Sequence, residues 1–519
     1  MAFGAKVTRR LLHSSVVNLF DHALKIAAVF VVTPLMIRHL GDHGYGLWTL
    51  VATVIGYLHL LDLGYSISGT KFMAEAIGGN DSDRLNAVIS TLRRFYRRVC
   101  IMVPMLSLVA AGIVLLIVKD TASTAWKEVL PACLIFGAAL TVRFGSRLHL
   151  CFLKAHIRHD LIGVVTIGHT ALQTIAMIWV LRSDYGFVAL AATMAISEIL
   201  FLLVLRRLAV WVDENGVLKS RPVDFEENKK LRSEIGNHSR WILLYHLGKG
   251  LQRGVDPILI GAVLTPSAIP IYAIGMRFVV MFEDVMTTLF GGHLLSGLAQ
   301  LQSSSERQAG LRAATRLSAT ASTIIGASIF WLAPPFIERW IGPDFDLSQT
   351  IVQMLAPAAA LVVLHYPSTN HLVIHNRQRL LFGAIVAAMV LNVCLSLALV
   401  GRFGILGVVT ATMIEMLLIG LFAYPWILIR TLGWSTARPV LLSALGSVAF
   451  VLAIAVPLGL FVIIPHVQPT YPSVIAHGAM FVGIISIIAG RFLLKPQERA
   501  AAFNALPSWL RKRKERNQD

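Results

Sequence analysis

The sequence predicts an all-α polytopic membrane protein of about 14 transmembrane helices, in two pseudo-symmetric six-helix bundles followed by two C-terminal helices. Three observations predict it. Only 14% of the 519 residues are charged and 56% are apolar. A soluble domain carries about 25% charge, so the chain lacks the polar surface that two to four soluble domains would need. Apolar runs of about 20 residues recur from end to end. The chain also repeats itself at a period near 220 residues.

The apolar runs place spans at 14–37, 44–67, 99–118, 129–153, 161–181, 186–205, 241–263, 268–292, 317–337, 350–375, 380–400, 404–429, 440–462 and 473–490. These divide the chain into an N-terminal bundle (1–210), a cytoplasmic linker (211–240), a C-terminal bundle (241–430), two additional helices (431–495) and a basic cytoplasmic tail (496–519). The start, MAFGAKVTRRLLHSS, is basic but shows no small-residue cleavage site, so no signal peptide is expected.

The net charge is +18. A nucleic-acid binder would gather that charge into patches on a folded domain. Here 34 of the 46 lysines and arginines fall on the side that holds the N-terminus, six on the opposite side and six inside spans. That split is the positive-inside pattern, with both termini cytoplasmic. No nucleic-acid partner is expected. Two of the cytoplasmic segments look amphipathic. One carries Leu85, Val88, Ile89, Leu92, Phe95 and Tyr96 at helical spacing, capped by Ser82. The other lies in the tail around Trp509 to Arg516. Binding to anionic headgroups and plain topology anchoring both fit these segments.

The repeat is legible in particular residues. YGFVALAATMAISE ends at Glu198 and FGILGVVTATMIE ends at Glu415; His149-Leu150 is echoed by His371-Leu372. An offset of six spans makes the repeat parallel, which is a transporter signature: two bundles would rock about a central cavity.

Charges inside the membrane mark the expected site, because each costs about 2.5–3.5 kcal/mol at the bilayer centre on insertion scales. In span seven Tyr245, Lys249, Arg253 and Asp256 share one helical face. Arg143 and Arg147 stand one turn apart in span four, Arg277 near the middle of span eight, and Asp21, His22 and Lys25 in span one. Interhelical ion pairs would account for single pairs such as Asp21–Lys25 or Arg253–Asp256. The six cations together (Lys25, Arg143, Arg147, Lys249, Arg253 and Arg277) instead predict a basic cavity for an anionic substrate, since the arginine fork suits phosphate. Glu198, Asp256 and Glu415 are candidates for proton or sodium coupling, or for packing against a cavity arginine. His371 and His375 are four apart, but HLVIH lacks the glutamate of a zinc site. The four cysteines match no metal or disulfide pattern and read as buried thiols. There is no phosphate loop, nucleotide motif or nucleophile elbow. The expectation is a carrier without a cofactor, and not an enzyme.

The stretch LGDHGYGLWTLVATVIGYLHLLDLGYSISGTKFMAEA, Leu40 to Ala76, resembles the opening of Wzx-type polysaccharide flippases. These belong to the polysaccharide transporter family of the multidrug/oligosaccharidyl-lipid/polysaccharide exporter superfamily. VDPILIGAVLTPSAIPIYAIGMR (Val255 to Arg277), WIGPDF at Trp340 and the run before Glu415 agree with it. The resemblance implies flipping of an undecaprenyl-pyrophosphate-linked oligosaccharide from the inner to the outer leaflet of the bacterial cytoplasmic membrane. Surface polysaccharide assembly (O-antigen, capsule or exopolysaccharide) would follow, with a polymerase of the same pathway as a partner. A membrane polymerase or ligase enzyme is one alternative, but it needs a sizeable outer loop, and the longest here (119–128 and 339–349) have about ten residues. A drug exporter of the same superfamily is the other; it would favour an acidic and aromatic lining.

Overall fold

The computed structural model describes residues 2–118, 125–213, 216–219, 231–237, 239, 255–290, 304–374 and 378–493. All regular structure among them is helical. The chain forms two compact units, 1–270 and 271–519. Eleven stretches of the described residues are long and apolar enough to cross a membrane. One of them, Ala23–Gly78, covers most of span one and all of span two. Span eight is the helix Ile269–Phe290, and residues 255–263 are the described part of span seven. The 14-span reading is thus roughly consistent with the structure. Large apolar side chains such as Leu116, Ile175, Phe461 and Ile487 stand exposed. A soluble fold would bury them, whereas the bilayer solvates them.

In the first unit α1 (Ala2–Gly56) runs through a kink at Gly41, where φ is 70° and ψ 173°. Glycine tolerates that conformation because it has no Cβ. The sequence places span two as one helix over 44–67, but the structure breaks it. A 3-10 turn occupies Tyr57–Asp62, Leu63 and Gly64 are left-handed, and α2 (Tyr65–Gly78) follows. Asp62 fixes the break: its carboxylate accepts from the Ser66 hydroxyl at 2.6 Å and from the Tyr96 hydroxyl at 2.9 Å. Broken helices of this kind are tolerated in membranes where neighbouring side chains satisfy the freed backbone.

The next helix, α3 (Ser82–Ile117), is capped by Asp81 rather than Ser82; the Asp81 carboxylate accepts from the Arg84 amide at 2.8 Å. Its stripe of Leu85, Val88, Ile89, Leu92 and Tyr96 is buried. Leu92 fills the space beside Gly69 of α2, where any Cβ would lie 2.5 Å from it. The stripe is therefore covered by protein and does not rest on headgroups. The tail segment 509–516 lies outside the described residues. Helices α4 (Ala125–Ala155), α5 (His159–Arg182) and α6 (Gly186–Val212) complete the unit with α7 (255–263). Both α3 and α6 pack on α4, and α5 packs on α1. The sequence boundary at 241 gives span seven to the second bundle, but the first compact unit extends to Pro270. Contacts explain the difference: Gly261 lies against Leu50 and Ile117, and Gly46 against Pro266.

The second unit contains most of α8 (Ile269–Phe290), then α9 (Ser304–Trp340), α10 (Asp346–Val363), α11 (Tyr366–Ile374), α12 (Gln378–Phe403), α13 (Ile405–Leu418), α14 (Tyr424–Leu432), α15 (Trp434–Leu458) and α16 (Tyr471–Phe492). Two π turns, Ile419–Ala423 and Gly459–Ile463, sit just before Pro425 and Pro465. Proline has no N–H and its ring crowds the preceding turn, which widens it. Span twelve thus continues from α13 into α14 through a π turn. The equivalent helices α6 and α13 both start at a glycine of positive φ, Gly186 (φ 79°) as the first residue of α6 and Gly404 (φ 57°) just before α13. Three of the cysteines are buried or half-buried as expected; Cys394 is exposed on α12.

Candidate functional site

The charged residues that the apolar pattern isolates are partly drawn together in the first unit. Arg143 of α4 and Glu198 of α6 form an ion pair, with Nη2 2.6 Å from Oε1. Neither helix offers a local partner, so tertiary packing of α6 on α4 makes the pair. His169 of α5 places Nε2 3.6 Å from the same carboxylate oxygen. On the other side of the guanidinium, Nη1 lies 3.5 Å from His59 Nε2 in the broken part of span two. Four segments therefore converge on one arginine–glutamate pair.

The two partners differ in access: the Glu198 side chain is 7% exposed and that of Arg143 is 41% exposed. The carboxylate is the buried end, and its Oε2 has no hydrogen-bond partner among the described residues. The guanidinium is the accessible end and keeps donors that Glu198 does not use. Loss of Arg143 would leave a buried carboxylate without its counter-ion, so the pair holds together while the exposed edge of the guanidinium faces outward.

The other cationic candidates are placed as follows. Lys25 is held by Asp21 on the same face of α1 at 2.6 Å, and both contribute to the electrostatic surroundings of His169. Arg147 is half-buried one turn beyond Arg143 and acts electrostatically on His59; among the described residues it makes no ion pair. Arg277 is half-buried on α8 in the second unit, again without an ion pair among the described residues. Lys249 and Arg253, with Tyr245, lie outside the described residues.

The remaining acidic candidates are both buried. Asp256 is 2% exposed on α7, within electrostatic reach of Tyr57. Glu415 is 1% exposed on α13. One turn before it, Thr412 receives a hydrogen bond from Asn392 of α12 at 3.1 Å. His371 is buried and His375 lies outside the described residues; no cluster able to hold a metal occurs among the described residues.

Sequence reasoning missed His59, His169 and Asp62 as site-forming groups. Each is a single polar residue in an apolar run, with no spacing pattern of its own. The available signal was the cost of burying any polar group in a span, together with the DLGY turn in the stretch that carries the resemblance.

A protein family described as polysaccharide biosynthesis protein matches residues 90–349, half of the chain. No curated protein sequence matches it. Among solved structures, a lipid II flippase, MurJ, in an inward closed conformation superposes with a TM-score of 0.66 at 13% identity, covering 93% of this chain and 99% of that one. An inward-facing multidrug resistance MATE family transporter of the MOP superfamily gives 0.63 at 13% identity, over 82% and 99%. The eukaryotic MATE transporter AtDTX14 gives 0.61 at 14% identity, over 84% and 98%. At these identities the likeness establishes a shared fold, and the sequence match establishes the family: the chain belongs to the polysaccharide biosynthesis proteins.

Proposed function

We propose that this protein flips an undecaprenyl-pyrophosphate-linked oligosaccharide from the inner to the outer leaflet of the bacterial cytoplasmic membrane, for surface polysaccharide assembly. Its two halves alternate access to a site for the anionic linkage, and both termini are cytoplasmic. The observation that carries the reading is the Arg143–Glu198 pair, with its accessible guanidinium inside a membrane-spanning helix. Family membership and the fold shared with a lipid II flippase support it.

Physically, the pyrophosphate loses water on leaving the headgroup region, and charge-assisted hydrogen bonds of about 1.5–3 kcal/mol each replace that hydration. Arg143 offers such bonds in competition with Glu198. Lys25, Arg147, Lys249, Arg253 and Arg277 are the further cations of the proposed anion site. A membrane potential that is negative inside favours outward movement of a dianion by about 4.6 kcal/mol per 100 mV. Glu198, Asp256 and Glu415 are the proposed sites at which a proton or sodium ion adds to that drive. A polymerase of the same pathway takes the product at the outer leaflet.

The test is flipping in proteoliposomes with a fluorescent polyprenyl-pyrophosphate oligosaccharide, scored by accessibility to an external lectin. Outward movement that Lys249→Ala or Arg253→Ala abolishes at normal abundance, and that Arg253→Lys only partly restores, supports the reading. Full flipping by the Lys249/Arg253 double variant overturns the anion site. Export of cationic drugs without movement of any lipid-linked glycan overturns the substrate class and leaves the drug-exporter alternative suggested by the MATE likeness.

A further inference from the structure

A second basic site lies in the first unit and shares no lining residue with the Arg143–Glu198 cluster. A cavity of about 810 Å³ opens between α3, α4 and α6, lined at its polar end by Arg93, Arg97, His149 and Arg206. Each helix contributes at helical spacing: 93, 97 and 100 on α3, 145, 148 and 149 on α4, and 203, 206 and 210 on α6. Arg93 is oriented by the short turn after α6, donating to the Leu218 carbonyl at 2.5 Å. Arg97 and Arg206 are exposed. Among the described residues none of the three arginines forms an ion pair and no carboxylate lines the cavity. Three cations that share one cavity repel one another, so the lining that the described residues make is complementary to an anion.

What continues beyond the arginines identifies the class of anion. On α3 the exposed row runs from Arg97 through Ile101 and Met105 to Leu108; on α6 it runs back from Arg206 through Leu203 and Leu200 to Ile196. At about 1.5 Å per residue each row is about 15 Å long, the depth of one hydrocarbon leaflet in a bilayer about 30 Å thick. Both rows start at the end of the bundle that the Lys/Arg distribution assigns to the cytoplasm. A soluble phosphate would leave these rows unused. A two-chain lipid would use them together with the arginines, with its headgroup on the guanidiniums and its acyl chains along the rows.

From this geometry we infer that the α3–α4–α6 cavity binds an anionic glycerophospholipid of the inner leaflet, its phosphate held by Arg97 and Arg206 beside Arg93. Basic pockets between membrane helices on the cytoplasmic side recognise such headgroups. The site is a lipid-recognition site of the first unit, and it stands whether or not the transport reading does.

The experiment is direct lipid binding to the full-length purified protein in detergent, by native mass spectrometry. The probes are phosphatidylglycerol and phosphatidylcholine of matched chains. Phosphatidylglycerol should bind the wild-type protein at least about tenfold more tightly. The Arg97→Ala/Arg206→Ala variant should lose that preference. The Arg98→Ala/Arg207→Ala variant, which removes the same charge from neighbouring exposed positions outside the cavity lining, should keep it within about twofold. Arg97→Lys/Arg206→Lys should recover part of it, which separates loss of charge from loss of fold. Equal losses in the two alanine variants would reduce the effect to diffuse surface charge and overturn the site. Displacement of the lipid by glycerol phosphate would convert it to a soluble-anion site, and displacement by polyprenyl pyrophosphate to a substrate site; either overturns the proposal.

Discussion

The two halves of the repeat carry an acid at the same place and surround it differently. Glu198 lies twelve residues after Gly186, near the middle of α6, and Glu415 eleven after Gly404, in the last turn of α13 before the π turn. Around Glu198 the first unit assembles Arg143, His169 and, through Arg143, His59. The spacing that relates His149 to His371 also relates Arg143 to His365, so the position of the half-exposed arginine holds a histidine in the second unit. His365 is 4% exposed, and its Nε2–H donates to the Gly420 carbonyl in the π turn at 2.9 Å. One position presents an accessible cation. The other is tied to backbone. The duplicated scaffold has thus kept its buried acid twice and differs at the matched position, an arginine on Glu198 in one unit and a backbone-bound histidine in the other; the expectation is that anion recognition falls to the first.

The largest expected effect tests that asymmetry. Arg143→Ala should reduce flipping at least about 100-fold and lower the yield of folded protein, because Glu198 is left buried without its counter-ion. Adding Glu198→Gln should restore the yield but not the flipping. His365→Ala should lower thermal stability by about 1–3 kcal/mol by stranding the Gly420 carbonyl, while flipping per folded molecule persists. Proteoliposome flipping, normalised to the monodisperse fraction, reads both. If His365→Ala abolishes flipping as fully as Arg143→Ala does, recognition is shared and the asymmetry falls.

A smaller effect separates the two acids. Glu198→Gln should remove the dependence of flipping on an imposed proton or sodium gradient, because its partner Arg143 is reachable from solvent. Glu415→Gln, at a position 1% exposed, should retain that dependence and change stability instead. Flipping rates with and without each gradient, at clamped membrane potential, check this. Unchanged dependence in both variants makes the two acids packing residues.

How much of this was legible in the sequence divides along physical lines. Span positions were, because burial in hydrocarbon demands a run of about 20 apolar residues whatever the fold. The repeat was, because Gly186 and Gly404 each need a left-handed backbone at the start of equivalent helices. The break after Tyr57 was not: Tyr-Leu-His-Leu-Leu-Asp-Leu reads as continuous helix until Asp62 is seen to hold Ser66 and Tyr96. The Arg143–Glu198 pair was only half legible. Both residues stood out as charges in apolar helices, but 55 positions separate them, and only the packing of α6 on α4 makes them partners. The α3 stripe was read correctly as a helix face, yet sequence could not supply what covers it, which is Gly69 and its neighbours on α2.

The smallest expected effect concerns two glycines beside the compared positions, and it turns on backbone alone. A Cβ on Gly420 would lie 2.7 Å from the Leu361 carbonyl oxygen, so Gly420→Ala must push α10 away from the π turn and lengthen the His365 hydrogen bond. Overpacking of that kind typically costs about 1–3 kcal/mol. Gly168, next to His169 in the first unit, has nothing within 4 Å of where a Cβ would stand, and it sits inside α5. There alanine has the better helix propensity, and Gly168→Ala should raise stability by about 0.5–1 kcal/mol without moving His169. Thermal unfolding of the two variants in detergent should therefore shift in opposite directions. A destabilising Gly168→Ala would show that α5 needs a close neighbour at that point, so that the first unit is braced at its site as tightly as the second.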